Sequence, residues 1–474
     1  MSAVAALVVA AALAGCGTTT YFAGRPLPPS GLANRVLIAI QNPGAFSAGA
    51  MEIVDAFYDI RYRFNSTNTA PAFPLAGFSG SLPVTIQNLP EELSGAVYSS
   101  GGGTYMLIDY ANEKGNGNVN GLNGQSSSVF VTRNLSYVFA ANQADHVLTV
   151  VNRGDGSSYP LNLPGVFRIS VNPGGSAVLA FVQNSNYIYY PRHLTAAQTI
   201  AYSGGPSTWP TGAEDCEPQN APVWCLFQAL SPDDNKPLVF DRPAKAVFSA
   251  DGGTAYVLNC GPECGGSVAS ISTLPIAPLI FLLGEQSGTL PTHAALTAST
   301  LNIPGGTSNA LVVSSKMYVV GQQMMPDGFW SGQLTTLNLP TGSATTMTKT
   351  AQVAISDGAP GAASRMIIAD DNTLWIGMTQ CTNGERANNR QAEGCLSMVN
   401  TATNAVTLLP YNGDATGIAA ITGLHKIYTA EGGQVYIYST VNAASIDNQY
   451  VTVTGTAYDV AYMDAVTDTN NTVY

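Results

Sequence analysis

Charge is scarce in this chain. Asp, Glu, Lys and Arg make up 10% of its 474 residues, against about 25% in an ordinary soluble domain. The 18 Lys and Arg residues nowhere form a run, and the formal net charge is -12. A nucleic-acid backbone calls for a basic stripe, so no nucleic-acid partner is expected. Long apolar stretches are lacking too: the two best, residues 3–14 and "PIAPLIFLLG" at 275–284, fall short of a membrane-spanning helix. The second is expected to be a buried outer strand. Only four histidines occur (His146, His193, His293, His425), none near a cysteine pair, and there is no CxxC pair, so the four converging ligands of a tetrahedral zinc site are not expected. GxSxG, HExxH and P-loop motifs are absent, which removes three common catalytic devices. Asp233–Asp234 and Asp370–Asp371 lack the alternating oxygen ligands of a dedicated calcium loop.

What remains is rich in turns and strands. The chain holds 48 Gly and 28 Pro, with 45% hydrophobic residues and 22 Tyr, a composition of many short strands joined tightly. The stretch "ADGGTAYVLN" from Ala250 recurs in spirit at Arg133, Asn172, Ser314, Ala369 and Ile421. Each copy places an aromatic at the matching point: Phe139, Phe181, Tyr256, Tyr318, Trp375 and Tyr428. Spacings of about 40 to 75 residues fit a four-stranded unit with loop insertions.

The expected fold is therefore all-β: a single β-propeller of about eight four-stranded blades, seven being the alternative. The first strands, "NRVLIAIQN" and "MEIVDAFYDIR", lack an inner partner, and "TAYDVAYMDA" from Thr456 is left over near the other end. Pairing the two ends completes a blade and removes the open edge. The phrase "ADGGTAYVLN" resembles the YVTN class of bacterial β-propeller repeats, and the wider group that includes lactonase-type propellers. The resemblance extends over about six units and carries no catalytic motif.

The opening segment reads as a signal peptide over residues 1–15. Leu13-Ala14-Gly15-Cys16 resembles the lipobox of bacterial lipoproteins, which implies lipidation at Cys16 and a flexible tether over 16–31. One departure is the lack of Lys or Arg before the apolar core. Gly17 after the cysteine resembles proteins sent on to the outer membrane. The propeller then occupies 32–474, with an insertion at about 203–237. Six further cysteines form three local pairs, Cys216–Cys225, Cys260–Cys264 and Cys381–Cys395, expected as disulfides in an exported chain.

In a propeller blade of strands A to D, the B–C loops and the connections to the next blade share one face, where binding tends to reside. That face gathers Asp145 and His146, the group Met324, Met325, Phe329 and Trp330, and Arg386 and Arg390. The aromatics and methionines form an apolar contact site, and the two arginines grip an anion unless Glu385 and Glu393 pair with them. Trp209 and Trp224 in the insertion are a platform for sugar rings or proline-rich peptides, or else packing for the loop against the disc. The function expected is a non-catalytic, lipid-anchored scaffold or binding module for an envelope protein or glycan, without a cofactor. The alternative is an exported lactonase- or lyase-like enzyme with a divalent metal in the axial channel.

Overall fold

The computed structural model describes residues 27–42, 49–59, 73–122, 124–231, 233–281, 298–340, 346–356, 363–379, 381, 394–410, 412–451, 453 and 455–466. Apolar, β-branched strands broken by tight turns give eight antiparallel sheets, seven with four strands and one with five. A representative turn is Ser249 to Gly253. Asp251 accepts from the Gly253 amide, and Gly252 stands at φ +68°, a backbone state that costs glycine little.

The blades, each from strand A outward, follow chain order. Blade 1 combines Thr456–Tyr462 with Arg35–Gln41, Gly49–Asp55 and Phe73–Pro74; blade 2 comprises Pro83–Leu89, Ser94–Ser99, Thr104–Asp109 and Lys114–Asn118. Blade 3 runs Ser128–Val131, Tyr137–Asn142, Val147–Asn152 and Ser158–Asn162. Blade 4 runs Val166–Val171, Val178–Val182, Ile188–His193 and Trp224–Gln228. Blade 5 holds Pro243–Phe248, Thr254–Asn259, Ser270–Pro275 and Ser299–Asn302. Blade 6 holds Asn309–Val313, Lys316–Met324, Trp330–Asn338 and Thr348–Ala354. Blade 7 is Ala363–Ala369, Thr373–Met378, Cys395–Asn400 and Val406–Leu408, and blade 8 is Ala415–Ile421, Lys426–Glu431, Gln434–Ser439 and Ser445–Val451. The count is eight, not seven.

The A strands pack against their counterparts in neighbouring blades and so surround the axis. Closure falls where the sequence places it: Val36 pairs with Tyr462 and Ile38 with Val460. The six aromatics of the repeat all lie in B strands and are all buried. They fill the clusters between blades, as Tyr428 does beside Ile421 and Val435.

The insertion adds a short helix, Ala196–Ala201, capped by Thr195, and a fifth strand, Ala213–Glu217, on the outer edge of blade 4. Cys216 and Cys225 are cross-strand neighbours there. Trp224 is no platform: it is 1% exposed and meets Tyr137, Phe139 and His193 edge-on. Trp209 packs half-buried against the same blade. Residues 275–281, the described part of the 275–284 run, correct another expectation. Ile276, Leu279 and Phe281 are buried, but Ala277–Leu279 is a 3-10 turn and the outer strand of blade 5 comes later, at Ser299–Asn302. Two prolines at 275 and 278 remove ladder donors and break the strand.

Candidate functional site

Six of the eight A strands carry a β-bulge in the same place. The extra residue precedes Thr85 in blade 2, Arg168 in blade 4, Lys245 in blade 5, Arg365 in blade 7, Gly417 in blade 8 and Asp459 in blade 1. A bulge bends its strand and re-aims the side chain that follows. Its repetition around the ring brings these six equivalent positions toward the axis. The axis thus receives three cations and one carboxylate in a chain whose net charge is -12.

Arg365 and Asp459 form an ion pair, Nη2 donating to Oδ2 at 2.6 Å. The pair reaches across blade 8, whose own residue at this position is Gly417. A Cβ there would lie 2.6 Å from Asp459 Cα, so only glycine leaves the room. Asp459 also accepts from the Ile86 amide at 2.8 Å. Burial pushes its carboxyl above the ordinary range, and Arg365 pulls against that shift.

Lys245 is 5% exposed, and its Nζ donates to Asn309 Oδ1 at 3.0 Å, a neutral acceptor. Burial holds its amine well below the ordinary lysine range, reinforced by the charges of Arg168 and Arg365. Arg168 sits deep in the disc yet presents part of its side chain to open channel space. Burial lowers its guanidinium. Its Nη1 reaches Ala244 O at 3.5 Å, and its guanidinium lies 5.5 Å from the Phe167 ring.

A cavity of about 550 Å³ opens at this mouth, lined among others by Arg168, Arg242, Asn309, Glu263 and the Cys260–Cys264 disulfide. The disulfide pins the B–C loop of blade 5, with Cα atoms 5.5 Å apart. A second cavity, of about 420 Å³, lies outward on the same rim. It is lined by Val268, Gln322, Met324 and Trp330, and it shares Cys260 and Glu263 with the first. Glu263 therefore stands in the wall between an axial cationic pocket and an apolar one. Gln322 Nε2 donates to its Oε1 at 3.0 Å, its buried Oε2 meets no donor among the described residues, and burial pushes the carboxyl up to about 7.

The expected binding face is partly assembled. Met324 and Trp330 face each other across the blade 6 hairpin and line the outer cavity, with Met324 51% exposed. Met325 and Phe329 close the hairpin turn, Met325 N donating to Phe329 O at 2.9 Å. Asp145 and His146 form the B–C turn of blade 3, where Asn142 Nδ2 donates to Asp145 Oδ2 at 2.6 Å. They line neither cavity. Cys16, Arg386 and Arg390 lie outside the described residues. Cys381–Cys395 is a disulfide like the other two. Sequence reasoning missed Arg168, Lys245, Asn309, Glu263, Arg365 and Asp459. The available signal was a polar or glycine residue directly before the apolar core of each A strand, as in "FRIS", "AKAV", "SRMI", "TGIA" and "YDVA".

A divalent metal in the channel does not suit these donors. No group of three or more His, Cys, Asp or Glu is drawn together among the described residues, and the axial charges are mainly positive, which repels a cation. No helix among the described residues is long and apolar enough to cross a membrane. The three disulfides fit an oxidising, extracytoplasmic compartment.

No family model matches the chain, and no curated protein matches it. Among solved structures it is similar to the hydrazine synthase of Kuenenia stuttgartiensis, at 12% identity over 81% of this chain and 100% of that one, with a TM-score of 0.47. It is also similar to the β-propeller domain of Cps50 (Swd1) from Myceliophteria thermophila, at 11% identity over 76% and 97%, TM-score 0.46. A third is the periplasmic gluconolactonase PpgL of Pseudomonas aeruginosa, at 14% identity over 90% and 98%, TM-score 0.41. These likenesses assign no residue and no reaction to this chain.

Proposed function

We propose that this chain is an exported propeller of the YVTN-repeat kind, tethered to the outer membrane through lipid on Cys16, that binds an envelope protein or glycan without catalysis. The observation that carries the reading is the continuity of the two cavities on the B–C rim. A disulfide-pinned loop separates an apolar outer pocket at Met324 and Trp330 from the axial mouth. A rigid scaffold with adjacent apolar and charged recesses suits recognition. The tetrapeptide before and including Cys16 supports the tether. The alternative, a lactonase- or lyase-like enzyme using an axial divalent metal, has no matching donor set among the described residues.

The test places a photo-crosslinking amino acid at Met324 in intact envelopes, with Cys16→Ser as the unanchored control. One reproducible adduct, lost when Trp330→Ala is added, is the expected result. Absence of any specific adduct overturns the reading. A divalent-metal-dependent turnover by the purified chain would establish the alternative.

A further inference from the structure

Among the described residues, Arg168 and Lys245 stand at the axis with no carboxylate partner. The one hydrogen bond of Arg168 goes to a backbone carbonyl, that of Lys245 to an amide oxygen. The remaining cation, Arg365, donates to Asp459. A buried cation with no counter-charge is costly to hold, and replacing it by an apolar side chain of like volume is commonly neutral or stabilising. Equivalent bulges carry both groups: Arg168 lines the axial cavity, and Lys245 lies behind its wall, hydrogen-bonded to Asn309. The amide of Asn309 lines that cavity as well.

We infer that the axial mouth binds a doubly charged oxyanion, with the chemistry of a phosphate group, held by Arg168 and Asn309, with Lys245 behind Asn309 as the second cationic group. The inference rests on the reading of this rim as a binding face and names the ligand class for its inner pocket. Two cationic side chains, neither with a carboxylate partner among the described residues, match a dianion once both carry their protons. The planar guanidinium offers a fork of N–H donors to two oxygens, and the Lys245 ammonium adds charge close behind the Asn309 amide. The cavity admits far more than the anion alone, so free phosphate and a phosphorylated larger ligand share this chemistry. Burial, with the charges of Arg168 and Arg365, disfavours the charged form of the Lys245 amine. An anion beside it favours the charged form, so binding should draw protons from solvent.

Calorimetry on the purified chain tests this with inorganic phosphate for affinity. Sulfate, a dianion with no proton of its own at neutral pH, serves for the proton count. We expect saturable binding of phosphate, weakened at least tenfold in Lys245→Met and in Arg168→Gln, and unchanged in Lys236→Met, whose exposed ammonium lies elsewhere. Sulfate titrated in buffers of different ionisation enthalpy should show net proton uptake, absent in Lys245→Met. Without anion the Lys245→Met protein should melt at or above the wild-type temperature, and phosphate should raise only the wild-type melting point. Should Lys245→Met fail to fold, Arg168→Gln carries the affinity comparison alone.

Lack of phosphate binding by the wild type, or equal affinity in both variants, overturns the inference. So does tighter binding of a simple dicarboxylate than of phosphate. The Met324 adduct is scored separately. Its persistence without anion binding overturns the axial site and leaves the rim reading standing. Anion binding without any adduct does the reverse.

Discussion

Asp459 is the only carboxylate among the six bulge-following positions, and its pair with Arg365 is fully enclosed, at 2% and 5% side-chain exposure. Removing one member of such a pair leaves the other charge in low dielectric. Asp459→Asn should therefore cost about 3–5 kcal/mol in denaturant unfolding, while Gly417→Ala, which pushes on Asp459, should cost about 1–3 kcal/mol through overpacking. Two buried glutamates set a pH dependence of definite sign. Burial raises Glu263 and Glu431 to about 7, from 4.5. Between those values the unfolded chain releases protons that the folded chain keeps, so stability falls as pH rises from about 4.5 to about 7 and then levels. The loss is on the order of 3 kcal/mol per group at most. Glu431→Gln should flatten the slope and make the protein more stable than wild type at pH 8, read from urea unfolding at pH 5 and pH 8. None of this was legible in sequence. Arg365 and its partner are 94 residues apart, Lys245 and Asn309 are 64 apart, and no local spacing reports a meeting made by ring geometry.

At the scale of elements, much was legible. A turn, an aromatic-bearing strand and a second turn recur because each B strand must fill the gap to the next blade, and Phe139, Phe181 and Trp375 are buried for that reason. Blade 2 was the weak unit because its outer strand reads "KGNGN", mostly exposed turn residues held in register by the ladder to its neighbour and a bridge to Ala76. The A strands were misjudged differently: their alternation reads as ordinary, and the bulge that turns one polar residue to the axis leaves no periodic mark. Disulfides were the clearest local signal, and their effects should separate by loop length. Cys381 and Cys395 are 14 positions apart, so the double serine variant should lose about 3 kcal/mol through a freer unfolded chain. Cys260 and Cys264 are 4 apart, and the same loss there is about 2 kcal/mol. That smaller stability loss should nonetheless bring the larger loss of phosphate affinity, since this loop walls both cavities. Equal effects of the two pairs on affinity would count against the loop's role.

The whole molecule depends on closure, because a ring of eight sheets with one join open exposes two faces and a strand edge at once. The B strand of blade 1 shows what is at stake: Val36 to Ile40 are each 0% exposed, paired on one side with residues 49–55 and on the other with the strand from Thr456. Arg35 fastens the join. Its Nη2 donates to Asp464 Oδ1 at 2.6 Å and its Nη1 to Glu113 Oε1 at 3.0 Å, so one guanidinium ties the two ends of the ring to blade 2. The A strand that closes blade 1 also supplies Asp459, so stability and the charge balance at the axis are linked through one segment. Removing residues 455–474 should then do three things together. Unfolding should shift to lower denaturant with a shallower slope, because less surface is buried cooperatively. The freed apolar edge should drive concentration-dependent association, visible by light scattering. Arg365, deprived of the Asp459 carboxylate, should change phosphate binding as well. Arg35→Met, by contrast, leaves the strand in place. It should lower stability by about 3–5 kcal/mol through the stranded Asp464 and Glu113, yet keep the protein monomeric with its phosphate affinity intact. If the truncated chain remained monomeric with a wild-type melting profile, the two ends would not be closing the ring.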